Sequence, residues 1–311
     1  MQTILGSGGA IGVELAKALN VYTNNIRLVS WTPQKINDTD ILFPADLNET
    51  DQLYKAIEGS EICYLTIGFD YDITVWEAKW LPFMQQVIAA CARHKTRLVF
   101  FDNVYAIGGN HVNHITETSP LSPVSRKGAV RAKVDQLIIE NVEKGNIDAI
   151  IARSPDFFGP VKHKSLMMGL IYDSLIHNNP AKWLCNADVI HSTGFTRELA
   201  IGTAMLGNHD NTFNQIWNLP VATEGLTGRQ WVELFATVLN KPNQIEILSH
   251  EAIAAIGLSD TIIRETHEML YQYDRDYYFD SSKFNNRFDY TPISNREAVL
   301  FTVESLAVKA V

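Results

Sequence analysis

The 311-residue sequence has only three cysteines, Cys63, Cys91 and Cys185, widely spaced and in apolar surroundings. That usage excludes a disulfide framework and the paired spacing of a zinc site, and it fits a reducing compartment. No apolar run approaches the roughly 20 residues a membrane-spanning helix needs. No signal-peptide pattern precedes the first apolar strand, so a cytoplasmic protein is expected. Positive charge is also scarce: 26 Lys and Arg stand against 35 Asp and Glu, a formal net charge of −9. That balance argues against nucleic acid or an anionic membrane as a general partner, although a local basic cluster can still meet an anionic substrate. Internal repeats and low-complexity segments are missing as well. At 46% hydrophobic and 20% charged residues, the chain has the makings of a sizeable soluble core.

What is present starts at once. Residues 2–5 read as a short apolar strand, and Gly6, Ser7, Gly8, Gly9, Ala10, Ile11 and Gly12 form a glycine-rich turn that opens a helix running to Leu19. Glycine lets backbone approach a pyrophosphate closely, and a helix N-terminus offers unpaired N–H groups and partial positive charge to phosphates. Strand-to-helix turns built for packing alone also use glycine. The strand before this turn and the amphipathic helix after it favour the nucleotide reading.

Further apolar runs at 26–30, 41–43, 61–66, 97–101 and 148–153 alternate with helical patterns at 51–58, 75–94 and 128–144. Such alternation predicts an α/β fold, a doubly wound parallel Rossmann sheet with right-handed crossovers. After Pro160 the pattern changes, with helices expected over 165–177, 227–239 and 249–255. The expected organisation is a nucleotide-binding domain over 1–160, with 190–220 returning to it, and a smaller C-terminal substrate-binding lobe made mainly of 161–311. Such a lobe suits closure over the strand C-termini, where sheets of this type bind ligands.

With these residues in view, the chain resembles an extended, atypical short-chain dehydrogenase/reductase of the NAD(P)-dependent epimerase/dehydratase type. The resemblance runs nearly end to end. The spacing Gly6-x-x-Gly9-x-x-Gly12 is similar to that family's turn, and Asp46-Leu47 resembles its adenine-contacting pair. Leu65-Thr66-Ile67 sits where its fourth strand meets the cofactor ribose. Ala152-Arg153-Ser154-Pro155 with Phe158-Gly159-Pro160 is similar to its sixth-strand segment, which implies cofactor contact at Ser154. The segment 191–200 and Leu226-Thr227-Gly228 also match in order. The resemblance implies a bound NAD(P), a small-molecule substrate, and a homodimer through helices of the large domain.

The departures fall on the catalytic motifs. The family places a Ser or Thr four residues before a Tyr-Gly, and Asn103 occupies that position here. Its Tyr-x-x-x-Lys becomes Lys127-x-x-x-Arg131, ending at Asp135 where the family has Glu. In the family the Lys lowers the Tyr pKa and holds the nicotinamide ribose. Arg131 keeps a permanent cation there, with a fork suited to ribose hydroxyls. Two roles are open to Lys127: a proton donor or base if its pKa is lowered, or an ammonium that holds an anionic group. Asn103 can donate a hydrogen bond to a substrate oxygen but cannot relay a proton. Tyr105, two residues on, offers a phenol in place of the missing one, or simple packing. Asp102 either orients Lys127 or Arg131, or caps a turn.

No acidic residue follows the second strand, where NAD enzymes commonly bind the ribose 2′-hydroxyl. Ser30, Thr32 and Lys35 can take a 2′-phosphate and Trp31 can stack on adenine, so NADP is expected ahead of NAD. On the substrate side, the resemblance points to residues 69–72, Trp76 and Trp80. Asn110 to His114 reads as exposed loop, and no metal site is expected. The basic trio Lys162, His163 and Lys164 fits either a nucleotide-sugar diphosphate or a solvated turn, and the aromatic run over 271–279 reads as packing. Two functions fit this pattern. One is an NAD(P)-dependent enzyme that transfers a hydride to or from a carbonyl or alcohol carbon of a sugar nucleotide or small polar substrate. The alternative is a catalytically inactive NAD(P)-binding sensor.

Overall fold

The computed structural model describes residues 1–161 and 165–308, so the basic trio Lys162, His163 and Lys164 lies outside the described residues. These residues form two compact units. The first comprises 1–106, 127–154 and 199–219, and the second comprises 107–126, 155–198 and 220–311. The division falls at 154/155 where the sequence placed it at 160, the returning segment is 199–219, and 107–126 joins the second unit.

The first unit begins with β1 (Gln2–Leu5), α1 (Ala10–Leu19), β2 (Ile26–Ser30), β3 (Ile41–Pro44) and α2 (Thr50–Ile57). It continues through β4 (Ile62–Leu65), α3 (Ile73–His94), β5 (Arg97–Asn103), α4 (Arg126–Glu143) and β6 (Ala149–Ser154). The second unit then adds β7 (Phe157–Phe158), α5 (Ser174–Ile176), β8 (Ala181–Leu184) and β9 (Gly194–Phe195). The chain returns to the first unit through α6 (Thr196–Asn208) and β10 (Gln215–Asn218). Seven strands form one sheet in the order β10-β6-β5-β4-β1-β2-β3, every described pairing parallel. The order reverses beside β1, the switch point at which such sheets bind ligands at their carboxyl ends.

Burial explains why the strands read as continuous apolar runs. β1, β4 and β6 are buried at every residue, as expected for parallel strands covered on both faces. Leu98 and Phe100 of β5 pack with Trp80, Met84 and Val87 of α3 and with Val130, Val134 and Ile138 of α4 in one core cluster. At about 25 cal/mol per Å² of apolar area, this cluster is the main favourable term for the unit. β10 was not expected from sequence: it is four residues long and has polar residues, Gln215 and Asn218, at its two ends.

The second unit has its own core around Phe158, Trp183, Trp231 and Phe235. The helix expected over 165–177 is helical but takes π-type hydrogen bonding over Met168–Asp173 before α5. α7 (Gly228–Leu239) starts with a capping box, in which Thr227 accepts from the Gln230 amide and the Gln230 side chain accepts from the Thr227 N–H. After β11 (Ile245–Leu248), which pairs with β8, come α8 (His250–Ile256), α9 (Thr261–Thr266), α10 (Ser282–Phe288) and α11 (Asn295–Val308).

Candidate active site

The glycine turn has the geometry its sequence predicts. Gly6 takes φ +94°, and a Cβ there would stand 3.0 Å from the Ile67 backbone nitrogen. At Gly12 a Cβ would stand 2.4 Å from the Gly6 carbonyl oxygen and 2.8 Å from Ser7 Cα, so α1 packs directly on the turn. Gly8 is exposed and has nothing within 4 Å of a Cβ position, which leaves open space on the outer side of the turn. Gly9 is the N-cap of α1, with no side-chain cap hydrogen bond. Ser7 Oγ is buried and has no hydrogen-bond partner among the described residues. An uncapped helix start beside an orphaned hydroxyl fits a phosphate-bearing ligand. Thr66 fixes the turn from the next strand, its N–H donating to the Leu5 carbonyl at 2.9 Å and its hydroxyl at 3.1 Å.

The residues expected at the adenosine end are spread over two strand ends. Ser30 closes β2, and Trp31 is 69% exposed. Thr32 and Lys35 are exposed, and the Lys35 ammonium donates to the Asp38 carbonyl at 2.8 Å. Asp46 Oδ1 accepts from the Asn48 backbone at 2.9 Å and from its side chain at 2.8 Å, so this carboxylate shapes its own turn. Leu47 packs against the core, Leu65 is buried at the end of β4, and Ser154 is buried beside Asn103 in the β5–β6 register.

At the carboxyl ends of β4 and β5 the altered motif residues gather. Asn103 Oδ1 accepts from the Tyr105 N–H at 3.0 Å, which sets the turn that carries Tyr105 and leaves the Asn103 amide group as donor. The Tyr105 hydroxyl lies 3.4 Å from that of Tyr71, longer than an ordinary O–H···O bond. Trp76 stacks on the Tyr105 ring at 6.1 Å and meets Tyr71 edge-on at 5.9 Å. Lys127 is fully buried, with its ammonium 4.7 Å from the centre of the Tyr71 ring. Asp72 N-caps α3. Its carboxyl is held below the usual range, first by the Thr74 hydroxyl and backbone, then by the Val75 N–H, with a small contribution from Lys127.

Arg131 lies deeper than the sequence suggested. Its guanidinium pairs with Asp102 and sits 4.3 Å from the Trp80 ring and 4.8 Å from the Phe100 ring. A second buried pair, Arg153 with Asp135 at 3.0 Å, adjoins it. Burial, followed by the Asp102 charge, pushes the Asp135 carboxyl well above the usual range, with the Arg153 charge opposing them. Asp102 Oδ2 and Asp135 Oδ1 are buried and have no hydrogen-bond partner among the described residues. Of the alternatives for Asp102, the structure shows the one that orients Arg131.

The second unit holds a cluster that the sequence did not reveal. His191 stacks between Tyr273 and Tyr277, with ring centres 4.3 and 4.7 Å away, and its Nε2 faces Asp156 Oδ2 at 3.1 Å. The aromatic run near the C-terminus, expected as packing, thus also encloses a His–Asp contact. Pairing of β7 with β9, which aligns Phe157 with Gly194, brings these distant segments together.

No protein-family model matches the sequence, and no curated protein matches it either. Solved structures do match along the whole chain. gox2253 superposes with a TM-score of 0.80 at 18% identity, covering 99% of this chain and 98% of its own. The UDP-glucuronic acid 4-epimerase of Bacillus cereus, in complex with NAD, gives 0.78 at 15% identity, covering 98% and 96%. The UDP-glucose 4-epimerase of Thermus thermophilus, also in complex with NAD, gives 0.77 at 14% identity, covering 99% of each chain. The chain has the fold of the extended short-chain dehydrogenase/reductases.

Proposed function

We propose that this chain is an NAD(P)-dependent enzyme that transfers a hydride to or from a carbonyl or alcohol carbon of a sugar nucleotide or another small polar substrate. When bound, the nicotinamide supplies the hydride chemistry. The observation that carries the reading is the cluster at the ends of β4 and β5: a fully buried Lys127 whose ammonium faces the Tyr71 ring, and a Tyr71 hydroxyl 3.4 Å from that of Tyr105. It stands beside the glycine turn at the end of β1, because β5, β4 and β1 are adjacent parallel strands.

In this reading Tyr105 or Lys127 exchanges the proton, and the Asn103 amide group donates to the substrate oxygen. A buried ammonium stabilises negative charge nearby and so eases proton loss from a phenol. Arg131 is assigned to positioning: held by Asp102 and flanked by rings, it fixes the β5 end that carries Asn103 and Tyr105. The glycine turn and Ser7 hold the cofactor phosphates, with Thr66 and Ile67 beside them. The lack of an acid between Ser30 and Lys35 favours NADP, with NAD as the second choice. The neighbours that bind NAD support the cofactor class, and the two epimerase names support a nucleotide-sugar substrate.

The test is hydride exchange in the presence of a carbonyl and nucleotide-sugar panel, followed by nicotinamide absorbance. Turnover by the wild type, lowered about 10²- to 10⁴-fold by Tyr105→Phe or Lys127→Met, is expected. Turnover that survives replacement of both residues refutes the assignment. Binding of every cofactor form without oxidation or reduction of any favours the sensor, the reading that the missing Tyr-x-x-x-Lys supports.

A further inference from the structure

The loop between β4 and α3 holds Tyr71 at the apex of a tight turn, closed by the Asp72 N–H donating to the Asp70 carbonyl at 2.7 Å. Both neighbours of Tyr71 are anchored. The Asp70 carbonyl also accepts from the Trp76 indole N–H at 3.0 Å, and the Asp72 carboxylate caps α3 through the Thr74 and Val75 N–H groups. Trp76 touches both phenols of this region. Its ring meets Tyr71 edge-on, with centres 5.9 Å apart, and stacks on Tyr105 at 6.1 Å. One indole therefore sets the loop backbone and both rings, and the two hydroxyls come to 3.4 Å. Either hydroxyl can donate across that gap. Closing it by about half an ångström gives an ordinary O–H···O bond.

Charge falls unevenly on this pair. The Lys127 ammonium of α4 stands 4.7 Å from the centre of the Tyr71 ring and is fully buried, so little water screens it. An opposite charge at about 4–6 Å favours the ionised form of an acid, and a phenolate spreads its charge into the ring that the ammonium faces. Asp72, beside Tyr71 in the chain, opposes this, but its Oδ1 is taken up by Thr74 and Val75. The other nearby cation, Arg131, is paired with Asp102 and lies 5.8 Å from the centre of the Trp76 ring. Tyr71 is the phenol that the buried ammonium faces.

We infer that Tyr71 is a proton-relay residue: Tyr105 exchanges its proton with the substrate, and Tyr71 replaces it and carries the resulting negative charge beside Lys127. Reduction of a carbonyl by a reduced nicotinamide leaves the substrate oxygen one proton short. The Tyr105 O–H bond breaks as the substrate O–H bond forms. The Tyr71 O–H bond then breaks as that of Tyr105 re-forms, and a proton from solvent returns to the half-buried Tyr71. Oxidation of an alcohol runs the same steps backwards. The relay rests on the enzyme reading and selects Tyr105, of the two groups named there, as the one that meets substrate. It is separate from the substrate contact that the resemblance points to at residues 69–72.

Tyr71→Phe tests it, because the ring stays against Trp76 and Lys127 and only the hydroxyl goes. Tyrosinate absorbance against pH reads ionisation of the full chain with neither cofactor nor substrate present. The wild-type curve minus that of Tyr71→Phe isolates Tyr71 among the 11 tyrosines. In a Lys127→Met background the same difference should move to higher pH by about one unit or more, and Lys127→Arg, which keeps the charge, should bring it back. A difference curve that does not move with Lys127→Met overturns the relay. In hydride-transfer assays Tyr71→Phe should lower kcat about 10²-fold with KM and melting temperature unchanged. In a Tyr105→Phe background it should lower kcat no further, because Tyr71 acts only through Tyr105. An unchanged kcat, additive losses, or a loss matched by a fall in melting temperature overturns it as well. Failure of the two readings is distinguishable. Hydride transfer with a Tyr71 that is insensitive to Lys127 sinks the relay alone. A Tyr71 ionisation that depends on Lys127, with no hydride transfer by the wild type, sinks the enzyme reading and takes the relay with it.

Discussion

Replacing Arg131 with Met removes a cation from an interior that was built around it. The guanidinium is 3% exposed, pairs with Asp102 and lies within 4.3 to 5.8 Å of the Trp80, Phe100 and Trp76 rings. Met refills much of the apolar volume, so the cost is mainly electrostatic: Asp102, 1% exposed, is left beside Asp135 without its partner. Removing one member of a buried pair costs about 3–5 kcal/mol. Loss of the ring contacts adds a smaller amount, about 0.5–2 kcal/mol. Urea unfolding followed by tryptophan fluorescence reads this directly, because Trp76 and Trp80 sit against the perturbed group. Asp102→Asn should cost a similar amount by stranding Arg131. The double variant should cost at least about 2 kcal/mol less than the sum, since it strands neither charge. Single variants that each cost under about 1 kcal/mol, with additive effects, would refute a coupled buried pair.

The raised Asp135 carboxyl makes a pH prediction. Its folded-state value lies above the unfolded one, so the stability it contributes is complete below the ordinary carboxylate range and is lost as pH rises through the raised value. Asp135→Asn keeps the neutral form at every pH, so Tm of the variant minus that of the wild type should increase with pH above about 4. Parallel Tm–pH curves would contradict a raised Asp135 carboxyl. Gly12→Ala places a Cβ 2.4 Å from the Gly6 carbonyl oxygen, a backbone atom that cannot yield cheaply. It should weaken nicotinamide-nucleotide binding by about 5- to 150-fold, measured by calorimetry.

The parts of the fold legible in sequence were those with a strong local signal. The glycine turn, the buried strands and α3 follow from apolar runs and glycine spacing that owe little to distant contacts. β10 escaped because four residues with polar ends carry no periodicity, and its place beside β6 comes from tertiary pairing. The shift to π-type hydrogen bonding at Met168 left no mark that an apolar helical pattern would betray. For the site, the family resemblance singles out Asn103, Tyr105, Lys127 and Arg131, but it says nothing of their surroundings. Only the fold shows that Arg131 turns to Asp102, or that the Tyr71 ring lies against Lys127. The Asp156–His191 pair was least legible, because 35 residues separate its members and the aromatic rings around His191 come from some 80 residues further on. An acid just past a parallel strand end was the one available signal.

The most direct measurement is titration of the purified protein with NADPH, NADH and their oxidised forms, by nucleotide fluorescence and calorimetry, with Gly12→Ala as control. The account predicts saturable binding at one site, tighter for the phosphorylated forms and weakened in the control. Binding of none of the four forms would contradict a nucleotide site in the glycine turn, and the proposed enzyme would fall with it.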